Sequence, residues 1–169
     1  REPGFPTLLR LVLEQQVSLA SADAAYRKLE HAIGVVEPEP FMELTDEQLR
    51  AIGFSRQKAG YVRNIAAGLI EGSIDLDLPA DLPDAKAATH LMQIRGVGRL
   101  TAACYLLFAL RRPYIWPPGD RALEVSIDRV YRRPGDACSR PADEMALAWR
   151  PVRAVAARLL WHEYLGGRG

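Results

Sequence analysis

The chain has 169 residues, of which 49% are hydrophobic and 25% charged, and its 22 basic and 21 acidic side chains leave a net charge of +1. That length suits one domain or two small lobes on a shared core, and the apolar share is enough to bury one. No apolar run reaches the roughly 18 residues of a membrane helix, and the start carries no signal-peptide core, so no membrane partner is expected.

The pattern predicts helices almost throughout. Leu8 to Ala25 is an apolar-rich run after Pro6-Thr7, with a break expected near Val17-Ser18. Thr45-Asp46-Glu47-Gln48 fits a capping box, in which Thr45 bonds forward and Gln48 reaches back. The short helix that follows should stop at Gly53. Ser55 to Glu71 reads as the next helix, ending at Gly72, and the proline- and aspartate-rich stretch from Leu76 to Pro83 reads as a loop. Asp84 to Gln93 is predicted helical and stops at Gly96-Val97-Gly98.

A further helix begins at once. Its stripe of Leu100, Ala103, Cys104, Leu107 and Phe108 has helical spacing, and Leu106 and Leu110 make the other side apolar, so it should be central and buried. Pro113 to Gly119 is a loop. Leu123 to Tyr131 and Pro141 to Trp149 read as helices, and the last helix starts near Pro151 with Val152, Val155, Ala156, Leu159 and Leu160 on one face. With no strand-like alternation, the fold class is all-α, without repeats.

Cys104 and Cys138 stand far apart and outside any C-x-x-C pair, and His31, His90 and His162 are scattered. This argues against a zinc or iron–sulfur site made by this chain, so no metal ligand is assigned. Two unclustered cysteines point to a reduced, intracellular protein, with a disulfide left open. Charge is unevenly placed. Lys86, Arg95, Arg99, Arg111 and Arg112 fall in an acid-free stretch from Ala85 to Gly119, and five acids fall in a base-free stretch from Glu71 to Asp84. Such a division gives either one positive face or simply a solvated helix surface.

Residues 91–103 read Leu-Met-Gln-Ile-Arg-Gly-Val-Gly-Arg-Leu-Thr-Ala-Ala. Two helices joined this tightly need glycines for positive φ and close backbone approach. The free N–H groups of the turn and of the next helix start then form a site for a phosphate oxygen. Arg95, Gly96, Val97, Gly98, Arg99 and Thr101 are the candidate DNA-binding residues of this turn. Contacts of that kind grip backbone rather than read sequence. The competing reading is a tight turn with no ligand.

This stretch, followed by the Gly/Pro-rich loop Pro113-Tyr114-Ile115-Trp116-Pro117-Pro118-Gly119 and then Asp120, resembles the helix-hairpin-helix DNA glycosylase superfamily. Upstream, Leu13-Glu14-Gln15-Gln16-Val17-Ser18 resembles its Gln-Gln-x-Ser segment, and Ser55-Arg56-Gln57-Lys58-Ala59-Gly60-Tyr61 its Arg-Lys-Ala-x-Tyr helix. Trp149-Arg150-Pro151-Val152-Arg153 through Trp161 resembles the closing Trp-x-Pro-x-Arg…Trp segment. These blocks, in the family's order, span most of the chain. The branch most alike is the bacterial 3-methyladenine DNA glycosylase II type. That type carries an additional N-terminal β domain, which is missing here or lies upstream.

The resemblance implies a two-lobed helical bundle with a cleft, one lobe of residues 1–24 plus 112–169 and the other of residues 25–111. It implies a monofunctional glycosylase that hydrolyses the N-glycosidic bond of a damaged, alkylated base. Bond cleavage develops positive charge on the sugar, and Asp120 would stabilise that charge and orient water. Asp128, one helix further on, is expected at the surface. Gln16 occupies the position of the side chain that fills the gap left by the extruded base, against helix capping as its ordinary role.

Leu100 stands where bifunctional relatives carry a lysine nucleophile, so no strand cleavage is expected. The base pocket would comprise Leu100, Cys104, Arg121 and Trp161. The alkylation-repair branch has tryptophan at the first of these positions and tyrosine at the second, which leaves the lesion open; Tyr105 lies beside the altered Cys104. No cofactor is expected beyond a monovalent cation between hairpin carbonyls and a DNA phosphate. The expected setting is a cytoplasmic monomer on damaged double-stranded DNA of the bacterial nucleoid. The competing readings are a non-catalytic helix-hairpin-helix DNA-binding module, which the altered pocket favours and Asp120 opposes, and a helical domain with no nucleic-acid partner.

Overall fold

The computed structural model describes residues 1–131 and 141–166. Its elements are α1 (Phe5–Glu14), α2 (Leu19–Ile33), α3 (Pro38–Met42), α4 (Asp46–Ile52), α5 (Arg56–Ile70), α6 (Asp84–Met92), α7 (Arg99–Phe108), α8 (Arg121–Tyr131), α9 (Ala142–Met145), a 3-10 turn over Ala146–Trp149 and α10 (Arg153–Gly166). Every regular element among the described residues is helical, as the periodicity predicts. Cys138 lies outside the described residues, and no described helix is long and apolar enough to cross a membrane.

Local signals place the helix ends. α1 has Pro6 in its first turn, where a missing N–H costs nothing. It buries Phe5, Leu8, Leu9, Leu11, Val12 and Leu13, each larger side chain contributing about 1.5–3 kcal/mol. The helix ends where Gln15 turns extended, and Gln16 follows at φ +56°. Ser18 then caps α2 by accepting the N–H of Ser21 at 3.1 Å. The break therefore falls over residues 15–18. At α4 both bonds of the capping box form, Gln48 N to Thr45 Oγ1 at 3.2 Å and Thr45 N to Gln48 Oε1 at 2.7 Å. Gly53 closes that helix in the left-handed conformation.

α1 packs on α2, α5 and α7, α3 on α5, α6 on α7, and α8 on α10. Ala102, Tyr105, Leu106 and Leu107 of α7 are fully buried, so this helix is central, as predicted. The loop before α6 owes its order to Arg112. That buried guanidinium donates to Leu82 O, to Pro79 O at 2.9 Å and to Asp84 Oδ1 at 2.9 Å. It is therefore not part of any free positive face.

α3 is an addition, since no element was assigned over its residues. Three expectations need correction. Pro141 to Trp149 is not one helix but α9 followed by the 3-10 turn. Asp128 is half-buried rather than at the surface. The inward face of α10 carries Ala154, Ala157 and Leu160, while Val152, Val155 and Leu159 point outward, Leu159 66% exposed. Two of its three buried side chains are small alanines, so the most apolar positions are not the inward ones.

Candidate active site

The hairpin forms between α6 and α7. Ile94 O accepts Val97 N–H at 3.0 Å, and buried Val97 anchors the turn in the core. Gly96 takes φ +93°, and a Cβ there would lie 2.4 Å from Tyr61 Cγ. Both facts demand glycine. Gly98 precedes α7 with no side-chain cap, and the N–H groups of Gly98, Arg99, Leu100 and Thr101 meet no acceptor among the described residues. Together with the helix dipole they form an exposed anion site. Gly98 itself is open, with nothing within 4 Å of a Cβ. Arg95 and Arg99 are exposed beside it, with no ion pair among the described residues.

Two upstream segments brace this turn. Gln15 donates from Nε2 to Gly96 O at 2.9 Å and to Thr101 Oγ1 at 3.0 Å. Lys58 of α5 donates from Nζ to Leu13 O at 2.6 Å, and burial lowers its pKa. Tyr61, one turn along α5, packs on Gly96. The separate sequence blocks thus meet at the hairpin. Gln16 is exposed, its side chain making no hydrogen bond among the described residues; the capping role next to it belongs to Ser18.

Asp120 follows Gly119, whose φ of +68° turns the loop into α8. Its Oδ1 accepts the N–H of Leu123 at 2.9 Å and the indole N–H of Trp161 at 3.2 Å. Asp120 thus also caps α8, and uses one oxygen to do so. Oδ2 is left open among the described residues, and Asp120 enters no ion pair there. The first half of the loop before it is held by two side-chain bonds. Trp116 donates to Asp143 Oδ1 at 2.9 Å, and Arg153 donates to Tyr114 O at 2.9 Å.

On α7, Leu100, Cys104 and Phe108 are half-buried in a row at four-residue spacing, while every other residue after the exposed Arg99 is buried. Cys104 and Phe108 of this row lie toward the carboxylate. Phe108 stacks on Trp161 with ring centroids 5.1 Å apart and planes at 21°. The Cys104 thiol is pushed up to about 12, first by burial and then by the negative charges of Asp120 and Glu14. Glu14 pairs with Arg1 at 2.6 Å, and Arg1 Cζ lies 5.3 Å from the Phe108 centroid. Asp120, Trp161, Cys104, Phe108 and Glu14 are thereby gathered into one place.

Leu100 sits at the hairpin end of that row. Arg121 is exposed and pairs with Glu124 at 3.0 Å, with no bond to Asp120 or Trp161. Tyr105 does not replace the aromatic missing at Cys104: it is fully buried on the other side, its hydroxyl accepting Gly4 N–H at 2.8 Å. Sequence reasoning missed Phe108, although it shared the predicted stripe with Cys104. It also missed Gln15, Lys58 and Tyr61 as braces, since only the fold reveals what their side chains reach.

A hairpin that presents free amides, and a carboxylate fixed by Leu123 and by the indole of a stacked aromatic pair, are the two features of the candidate site. Over residues 9–154 the chain matches the HhH-GPD superfamily base excision DNA repair protein family, and it belongs to that family. It is 28% identical to the Bacillus subtilis (strain 168) protein YfjP, named among the DNA-3-methyladenine glycosylases, over 93% of this chain and 58% of the relative. It is also 28% identical to DNA-3-methyladenine glycosylase 1 of Schizosaccharomyces pombe, over 95% of this chain and 72% of that one. The solved structure of Schizosaccharomyces pombe 3-methyladenine DNA glycosylase in complex with abasic DNA superimposes with a TM-score of 0.82 at 26% identity, over 94% of this chain and 79% of that one.

Proposed function

We propose that this protein is a monofunctional DNA glycosylase that removes a damaged, alkylated base by hydrolysis of its N-glycosidic bond. The observation that carries the reading is Asp120: a carboxylate fixed through Oδ1 by Trp161 and Leu123, with Oδ2 open near the half-buried row of α7. A fixed anion of this kind stabilises an oxocarbenium-like sugar and orients the water that attacks it. The names of its relatives and the DNA-bound neighbour support the substrate class.

In this reading the hairpin amides and Arg95 and Arg99 hold a backbone phosphate of double-stranded DNA. The strand runs between residues 25–111, which carry the hairpin, and the lobe of residues 1–24 and 112 onward, which carries Gln16 and Asp120. Gln16 fills the space left by the extruded base, and Phe108 with Trp161 walls the pocket that receives it. The carbonyls of Arg95 and Val97 accept no hydrogen bond among the described residues, which fits an oxygen-liganded monovalent cation shared with that phosphate. Such a cation supplies positive charge to the grip and takes no part in bond cleavage.

Leu100 supplies no amine where a Schiff-base nucleophile would stand, so the abasic product is released uncut. The test is incubation with duplexes carrying alkylated, deaminated or oxidised bases. Free base is expected, with strand breaks appearing only after alkali. Strand scission without alkali contradicts the monofunctional reading, and no release from any duplex overturns the glycosylase reading.

A further inference from the structure

Gln15 joins two parts of the surface that have separate jobs in binding. Its single amide nitrogen has two hydrogens, and the structure uses both: one bond goes to Gly96 O in the hairpin at 2.9 Å, the other to Thr101 Oγ1 in the first turn of α7 at 3.0 Å. The next residue, Gln16, is held at φ +56°. That region is unfavourable for any residue with a Cβ, and it persists only where the surroundings impose it. Here they do. Lys58 Nζ fastens Leu13 O on one side of the turn, and Ser18 starts α2 on the other. Between those fixed points the only side chain that reaches the hairpin from this turn, among the described residues, is Gln15.

We propose that Gln15 is a positioning residue that ties the α1–α2 turn to the hairpin, so that Gln16 is aimed into the duplex as soon as the hairpin grips a strand. This rests on the glycosylase reading and adds to it a coupling between grip and base extrusion. Without the tie, Gln16 relaxes to ordinary backbone and must be ordered again on the DNA. The cost of that ordering falls on extrusion and leaves the chemistry at Asp120 untouched. Its size therefore depends on how firmly the target base is paired, since an unpaired base is the easiest to extrude.

The experiment compares the full chain with Gln15→Glu and Gln15→Ala. Glutamate keeps the size but cannot donate to Gly96 O, so it separates loss of the tie from loss of packing. Two substrates carry the same 7-methylguanine, one paired with cytosine and one opposite an abasic analogue, with 2-aminopurine beside the lesion. In single turnover both variants are expected to release base from the paired lesion about tenfold more slowly and from the unpaired lesion within about twofold of wild type. The 2-aminopurine rise that reports extrusion should be delayed only in the paired duplex. A role confined to stability slows both substrates alike, and that outcome overturns the proposal, as does no slowing on the paired one. If wild type releases no base from any lesion, the glycosylase reading fails separately. The fluorescence rise still decides about Gln15: a rise in wild type that is delayed in the variants supports the tie, and equal rises, or none, overturn it.

Discussion

The indole N–H of Trp161 donates to Oδ1 of Asp120 at 3.2 Å, while its ring stacks on Phe108. One side chain thereby holds the carboxylate and covers the ring of Phe108. Trp161→Phe keeps an aromatic ring and removes the donor. Hydrogen bonds to a charged group contribute about 1.5–3 kcal/mol, so single-turnover base release should slow by about 10- to 100-fold. An unchanged rate assigns Trp161 to packing alone.

The two hairpin glycines should behave differently. Gly96→Ala places a methyl in the Tyr61 ring and a Cβ at φ +93°. It should cost about 2 kcal/mol or more, which thermal melting reads as a drop of about 4–8 °C. Gly98→Ala meets nothing within 4 Å. Its melting temperature should hold while affinity for any duplex falls, because the methyl stands where a phosphate would approach.

Arg112 tests the order of the loop before α6. Arg112→Met removes the donors to Leu82 O, Pro79 O and Asp84 together. Orphaned acceptors make this costly, by about 2–4 kcal/mol. The loss should appear in thermal melting and as proteolysis within residues 76–83.

Cys104 carries a pH dependence. Its thiol is raised in the fold from 9.0 to about 12, chiefly by burial. The folded state thus keeps a proton that the unfolded chain releases above pH 9. The contribution to stability is whole below that pH and is lost as pH climbs towards 12. In a Cys138→Ser background the remaining thiol should resist alkylation at pH 8 in the native state and react at once in denaturant. Rapid native labelling contradicts the burial.

Much of this was legible in the residues. The all-helical class, the capping box at Thr45, the hairpin and the placement of Asp120 at a helix start all follow from local rules, because each signal and its consequence lie within a few residues. What escaped prediction depended on partners far along the chain. Gly96 announces a tight turn, but not that Tyr61 is the ring pressed against it. Gln15 looks like an ordinary helix-end residue until α7 is seen beneath it. The last helix misled because Val155 and Leu159 are more apolar than Ala154 and Ala157, yet the two alanines are the buried pair. Phe108 was visible on the stripe of α7, yet the open side of that helix became evident only from the half-burial of Leu100, Cys104 and Phe108 together.

The most direct measurement is release of free base from a lesion-bearing duplex by wild type and by Asp120→Asn, with DNA affinity measured on the same samples. Asparagine can keep the bonds that Leu123 and Trp161 donate and removes only the charge. The expected result is a loss of base release by at least about 100-fold with duplex binding retained. Release at the wild-type rate by Asp120→Asn contradicts the account.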